Sequence, residues 1–503
     1  MRKCLLTLLL AALLPPNAAY AQMLTIHYNR PSADYQSWKL WVWNESDKKP
    51  GFDSFAVDRD TYGLVFRIDT AKLGLTGKKI GLLPRKGNWV DKDSPDRFCE
   101  PGAGPEIWLT QADPAVYAKT PSTASAITAA WCDGPNKIRA VFYSPENPAS
   151  IKKKGLTLRL AGKEVPIKHV HLAGSGHSGR VAYIEPGVQI AQGSAELNGG
   201  KWALSFKDST SPTTVWAGRV LDAYEPNAKF WASASSSGTA LSVFAPAAVK
   251  VSVLLKNSPQ DAQSQRFDMD AKPQGLWTVK LPGDVSGRYY RFRVERNGVI
   301  VEGVDPYAKA LSADGQWGLF VNDATAISAG PRFDNSENII YELHLRDVSM
   351  DPQSGIKHKG KFLGLAEAGT RHSKLHELTT GLDHLKELGV NTIHLLPVQE
   401  FDGGEDRYDW GYMPWHFNAP EGSYATNPEG QTRVAEFKTL VDTLHKNGFK
   451  VVMDVVYNHT AETGPSSVYS FNALAKDYYY RTKDDGSYYN GSGCGNEFRS
   501  DSP

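Results

Sequence analysis

Cysteine is scarce in this chain of 503 residues: Cys4, Cys99, Cys132 and Cys494 are all there are. So few cannot form the dense disulfide framework of a small secreted scaffold, and no Cys/His spacing offers a zinc site. In an oxidising compartment Cys99 and Cys132 could pair; equally, each could be a buried thiol, and both readings stay open. An excess of one charge is also missing. Lys and Arg total 56 against 55 Asp and Glu, a formal net charge of +1. No basic run is long enough to suggest nucleic acid or a membrane surface as partner. Long apolar runs are missing as well: nothing approaches the roughly 20 residues that a membrane-spanning helix needs.

What is present begins at the N-terminus. "MRKCLLTLLLAALLPPNAAYAQ" has a basic start at Arg2 and Lys3, an apolar run from Leu5 to Leu14, and Ala19-Tyr20-Ala21. This reads as a secretory signal over residues 1–21 with cleavage before Gln22. Cys4 precedes the apolar run, so no lipoprotein signal is expected. Removal of Arg2 and Lys3 takes the net charge to about −1. The destination could be the periplasm, the cell surface or the medium.

The length implies roughly three or four domains. Up to about residue 330 the chain reads as short strands and turns: "LWVWN", "KIRAVFYS", "LTLRLAG", "KWALSFKD", "LSVFAPAAVKVSVLLKN". In "YYRFRVERNGVIVEG" apolar and charged residues alternate, and Asn297-Gly298 marks a hairpin turn. Successive β-sandwiches are expected, with a linker at "TPSTASAITAA" (120–130). From about Glu337 strands alternate with helices. "IIYELHLRDVS", "NTIHLLPV" and "FKVVMDVVYNH" read as buried strands. One helix face is expected to carry Leu382, Leu385 and Leu388, the next Val434, Phe437, Val441 and Leu444. This pattern predicts a parallel sheet, a barrel or a doubly wound fold. Polar residues gather where these strands end: Arg346 and Asp347, Gln399 and Glu400, Asn458 and His459.

Aromatics are plentiful at 11%, with 13 Trp and 22 Tyr. Many sit in "DWGYMPWHFNAPEGSYATNP" (409–428), which is too broken by Pro and Gly for a core strand or helix. It follows the second expected parallel strand, where a loop can wall a site. Trp41 and Trp43 are two apart on an expected strand and therefore share a face. They could stack two sugar rings or pack a sandwich. Asp454, Asn458 and His459 in "DVVYNHT" could hydrogen-bond hydroxyls or serve as ordinary strand-end residues.

These stretches resemble known families. "VVMDVVYNHT" resembles the first signature region of glycoside hydrolase family 13, the α-amylase superfamily. "YDWGYMPWHFNAPEGSYATNP" resembles the Y-N-W-G-Y-D-P loop of type I pullulanases within it; "LPVQEF" and "YYYRT", with "NGSGCGNE" downstream, are similar too. "IHYNRPSADYQSWKLWVWN" with "NWVDKDSPDRF" resembles carbohydrate-binding module family 41. "LSVFAPAAVKVSVLL" and "GVDPYAKALS" resemble family 48 modules. The resemblance implies a multidomain chain: N-terminal β-sandwich modules, then the first part, about three βα units, of a (β/α)8 TIM barrel. The implied domains are a family 41-like module at 22–118, a second N-terminal β domain of pullulanases at 119–216, a family 48-like sandwich at 217–330 and a truncated catalytic barrel at 331–503.

The implied activity is hydrolysis of α-1,6 links in pullulan, starch or glycogen with retention, by a carboxylate nucleophile and a carboxylic acid. In the family these follow the fourth and fifth barrel strands, the nucleophile in a G-F-R-F-D-like run, and a third acid follows the seventh. No such motif is present here. Asp484, Asp485, Glu497 and Asp501 sit in no matching motif and are read as solvated loop acids. The expectation is an N-terminal part of a debranching enzyme whose catalytic acids lie beyond residue 503. By the resemblance, His459 contacts the sugar at subsite −1, Asp454 supports an arginine of the fourth strand, Asn458 shapes the site and Tyr412 stacks on the −1 glucose. Asp409 and Met413 depart from the usual Asn and Asp of that loop. In the front module Trp41, Trp43, Trp89, Lys92 and Asp96 correspond to sugar contacts, whereas Trp38 reads as structural. The implied partner is an α-glucan. No cofactor is required by this chemistry, and calcium and oligomeric state are left open. The competing classes are a non-catalytic α-glucan-binding protein and another family 13 activity such as amylase or branching, against which the Y-D-W-G-Y loop argues.

Overall fold

The computed structural model describes residues 23–502 apart from 31–34, 48–49, 94–95, 101–103, 112–115, 121–126, 175–177, 192, 208, 210–211, 231, 236–237, 402–407 and 464–466. The signal sequence expected over 1–21, with its cleavage before Gln22, lies outside the described residues. The chain divides into two compact units, Met1–Ser122 and Thr123–Pro503.

In the first unit, alternation along Trp38–Asn44 sends Trp38, Leu40 and Val42 inward and Lys39, Trp41 and Trp43 outward. That strand lies in a five-stranded sheet with Phe52–Ser54, Ile80–Lys86, Asp91–Lys92 and Arg97–Cys99. A four-stranded sheet built on Met23–Asn29 and Leu64–Asp69 carries the other half of the core. Ile26, Tyr28, Leu40, Val42, Phe66 and Leu82 fill the space between them, as a sandwich requires.

The second unit opens with eight strands in one unbroken hydrogen-bonded order, from Lys163–Val165 at one edge to Ile167–Leu172 at the other. They close around Phe142, Leu158, Leu204 and Val215. The strand Ile127–Gly134 occupies the end of the stretch expected to be linker. Its apolar positions Ile127, Ala130 and Cys132 are buried, so packing overrides the Ala/Thr composition there. A two-sheet sandwich follows, with core residues Leu241, Val253, Phe292 and Val294. Its hairpin turns at Asn297 and Gly298, both at positive φ of 50° and 73°, which two-residue turns between twisted strands need.

Three parallel strands come last, in the order Ile340–Leu343, Thr392–Leu395, Lys450–Met453. The central strand is buried at Ile393 and Leu395. The outer two differ from the expectation of fully buried strands: Ile340 is 58% and Val452 43% exposed, and Tyr341 and Met453 are also open. Among the described residues each outer strand is paired on one side only, so its apolar side chains lack covering neighbours. Leu382 and Leu385 are buried as expected, but Leu388 is exposed because the helix Gly381–Glu387 has ended and Leu388 is its C-cap. In the helix Thr432–Lys446 the buried line is Arg433, Glu436, Leu440 and Leu444, with Val434, Phe437 and Val441 half-buried beside it. The shift has a cause. Arg433 is drawn inward by Glu400, at 2.5 Å, and Glu436 accepts from the Thr426 amide.

Cys99 and Cys132 are both free and buried. Burial pushes each thiol up to about 11, with Glu100 adding for Cys99, which makes them unreactive apolar fillers.

Candidate functional site

In the first unit the outward face of Trp38–Asn44 carries the rings. Trp43 stands opposite Gly81, and Trp41 opposite Asp53 and Leu83. A methyl group added at Gly81 would fall 1.9 Å from the Trp43 ring, and one at Gly51 2.5 Å from Trp41. Each indole therefore lies down over a glycine, with its ring along the sheet. Trp89 stands at the tip of the next hairpin with φ +60° and 48% exposure. Its ring meets Trp41 at 5.4 Å and 63°, a wall beside a floor. A non-glycine residue held at positive φ with its ring in solvent marks strain of the sort that functional sites carry.

Polar groups fix this arrangement. Arg85 lies 5.2 Å from the Trp41 ring and 4.3 Å from Trp89. It donates from Nε and Nη2 to both oxygens of Asp53 at 2.8 and 2.6 Å. Lys39 Nζ donates to Asp53 at 2.7 Å. Burial alone would raise the Asp53 carboxyl, but the hydrogen bonds from Lys39 and Arg85 outweigh it and hold it below its ordinary value. Trp43 Nε1 donates to Glu45 at 2.7 Å. Lys92 is exposed on the strand paired with Arg85. Asp96 is half-buried, and its carboxyl is raised by burial against the opposing fields of Lys92 and Arg97. Trp38 is in the core. Gly51, Gly81, Arg85 and Asp53 were not singled out in the sequence; a glycine inside the strand-like run that holds Gly81 was the available signal.

In the second unit the aromatic stretch is partly a strand. Pro414–Pro420 pairs with Gln399–Phe401, with prolines at its ends and two register shifts between them, the positions where a ladder tolerates proline. Gln399 and Glu400 do not reach the site. Both are buried under this ribbon, where Gln399 donates to the Phe417 carbonyl at 2.6 Å. Burial, together with the nearby Glu421, pushes Glu400 up to about 8 even though Arg433 opposes it. Arg433 also donates to the Pro420 and Pro428 carbonyls, so one buried guanidinium ties the end of the strand to the end of the stretch. Sequence reasoning missed it, because an Arg in an amphipathic pattern reads as exposed.

Just before Pro414, Tyr412 reaches the end of the third parallel strand. Its hydroxyl donates to Asp454 Oδ2 at 2.7 Å. That hydrogen bond, helped by burial, pushes the phenol up to about 12. Asp454 Oδ2 also lies 3.7 Å from His394 Nε2, and His394 Nδ1 3.8 Å from Glu342. His459 is 4% exposed; its Nε2–H donates to the Tyr412 carbonyl at 2.9 Å, leaving Nδ1 buried and without a partner. Asn458 is exposed, and its carbonyl accepts from the Phe498 amide at 2.8 Å. Thus Tyr412, Asp454 and His459 are brought together, and Asn458 is tied to them through the chain. At the first strand's end Tyr408 donates to Asp347 at 2.8 Å, and Trp410 Nε1 to the Tyr408 hydroxyl at 3.0 Å. Asp484, Asp485 and Asp501 are exposed, while Glu497 pairs with Arg481. The cluster can bind a hydroxyl-rich ring against Tyr412. Among the described residues no three His, Cys, Asp or Glu side chains converge as a metal site.

Comparisons with known proteins follow the same order along the chain. Residues 22–118 match the family described as bacterial pullanase-associated domain, 227–308 carbohydrate-binding module 48 (isoamylase N-terminal domain), and 333–501 the alpha amylase catalytic domain. A pullulanase of Bacillus subtilis (strain 168) is 38% identical over 272 residues, covering 52% of this chain and 37% of that protein. Pullulanase A of Streptococcus pneumoniae is 27% identical over 524 aligned residues, covering 92% and 38%. The structure of a type I pullulanase from Bacillus subtilis str. 168 complexed with maltose superposes with a TM-score of 0.62 at 29% identity, covering 76% of this chain and 53% of that one. The chain spans a little over a third of the length of these curated relatives. Along the chain a pullulanase-associated domain, a family 48 module and an alpha amylase catalytic region thus follow one another, and the relatives and the structure it is similar to are pullulanases.

Proposed function

We propose that this chain is the α-glucan-binding and substrate-positioning part of an exported debranching enzyme that cleaves α-1,6 links in pullulan, starch or glycogen with retention. The observation that carries the reading is the closure of Tyr412 onto Asp454, with His459 beneath the same loop. An aromatic ring held by a carboxylate at a parallel strand's end suits a pyranose, whose CH face packs on the ring while its hydroxyls find polar partners. The three parallel strands are the start of a (β/α)8 barrel. Their exposed Ile340, Tyr341, Val452 and Met453 are side chains that further strands would cover. A retaining mechanism needs two carboxyl groups about 5 Å apart. Asp484, Asp485 and Asp501 are exposed and Glu497 pairs with Arg481, so none of these four is offered as the nucleophile or the acid of that reaction, and binding rather than cleavage is the role proposed for these 503 residues.

Export with cleavage after Ala21 belongs to the same proposal, supported by the basic, apolar and small-residue pattern of 1–21. N-terminal sequencing of secreted protein should start at or near Gln22; retained Met1 would contradict it.

The glucan reading is tested by electrophoresis through gels containing pullulan, glycogen or a soluble cellulose. The wild type should be retarded by the α-glucans alone. Trp41→Ala with Trp43→Ala should abolish most of the retardation at unchanged circular dichroism. Equal retardation of the double variant would return both rings to a structural role.

A further inference from the structure

We propose that Phe55 forms an additional sugar subsite at the Phe52–Ser54 edge of the ring-bearing face, letting the first unit hold a longer α-glucan than the tryptophans alone can. The inference rests on the α-glucan reading of that face. Phe55 is 67% exposed. A solitary exposed phenylalanine on a protein surface needs no explanation, but this one is not solitary. Ser54 pairs with Leu40, so the next residue comes beside Lys39, and Lys39 Nζ lies 5.6 Å from the Phe55 ring centroid. Lys39 alternates with Trp41 and Trp43 on the outward face of its strand, and it stands opposite Arg85 on the strand beyond. A row therefore crosses the sheet: Phe55, Lys39, Arg85, and then Trp89 against the Arg85 guanidinium.

Two exposed rings thus flank a pair of cations that Asp53 anchors through hydrogen bonds to each. The anchoring keeps Lys39 beside Phe55. An ammonium carries three donors, and Asp53 takes one of them. An apolar ring next to a fixed donor is the combination a pyranose needs, a flat CH face with hydroxyls at its rim. The same combination recurs at Trp89 and Arg85 on the far side of the row. The ligand class is a linear α-glucan with more glucose units than the floor rings Trp41 and Trp43 can contact.

The test is calorimetric titration of the full chain with maltotriose and with maltoheptaose. Wild type should bind the longer sugar more tightly. Phe55→Ala should leave maltotriose affinity unchanged and lose about three- to tenfold on maltoheptaose, while Phe55→Trp should keep the wild-type gain. Trp41→Ala with Trp43→Ala supplies the background from the rest of the chain. Equal maltoheptaose affinity in Phe55→Ala and wild type overturns the subsite. Wild-type affinity in the tryptophan double variant overturns the reading of the whole face instead, so the two failures are distinguishable.

Discussion

Tyr412 combines two roles that substitution can separate. Its ring is the proposed stacking surface, and its hydroxyl is locked to Asp454. In a form of the enzyme that carries its catalytic carboxylates, Tyr412→Ala should lower kcat by roughly 10- to 100-fold, because a misplaced sugar loses near-attack geometry. Tyr412→Phe keeps the ring and should lose less. Steady-state kinetics on pullulan separate the two; equal losses would mean that the hydroxyl, not the ring, is what matters. Glu400 supplies a second residue-scale outcome. Its raised folded value of about 8, against an ordinary 4.5, means that the native state holds a proton which the unfolded chain gives up earlier. Its stabilising contribution is full below about 4.5 and is lost as pH rises through about 8. Calorimetry should therefore show the catalytic region melting lower at pH 8.5 than at pH 6. Glu421→Gln removes the neighbouring like charge and should narrow that difference; an unchanged difference would mean that Glu421 does not contribute to holding the proton on Glu400.

At the scale of elements, the strand Ile80–Lys86 is the floor on which Trp43 lies. Gly81→Ala places a methyl group in the ring's space without touching the core beneath, where Leu82 does the packing. It should weaken α-glucan binding about tenfold, near 1.4 kcal/mol, with a stability change below about 1 kcal/mol. Affinity electrophoresis and a thermal melt check both; unchanged binding would show that Trp43 can tilt and still serve. Much of this element was legible beforehand. Period-two alternation put Trp41 and Trp43 on one face, and in the second unit Asn297-Gly298 marked the hairpin between Tyr289–Arg296 and Val299–Gly303. The glycine cradle was not legible, because which strand faces Trp43 is set by the register with Ile80–Lys86, a relation that no local pattern contains. The Pro414–Pro420 strand was hidden for a related reason. Its prolines read as breaks, and only pairing with Gln399–Phe401 shows that they stand at tolerated ends. Leu388 shows the opposite limit: a helical period continues on paper past the cap that ends the helix.

For the whole molecule, the family was legible in motifs spread from Trp41 to His459, while the burial of the last strands was not. An apolar run predicts a covered strand only when the covering neighbours are present. Ile340–Leu343 and Lys450–Met453 each expose apolar side chains and have an unpaired edge among the described residues, a surface that invites other chains. The central proposal is that these 503 residues bind α-glucan without cleaving it. It is tested most directly by incubating the purified chain with pullulan at enzyme-like concentrations, measuring new reducing ends while monitoring bound polymer in parallel. The account predicts bound pullulan with no maltotriose released; sustained release of maltotriose, abolished by substituting an acid within residues 331–503, would contradict it.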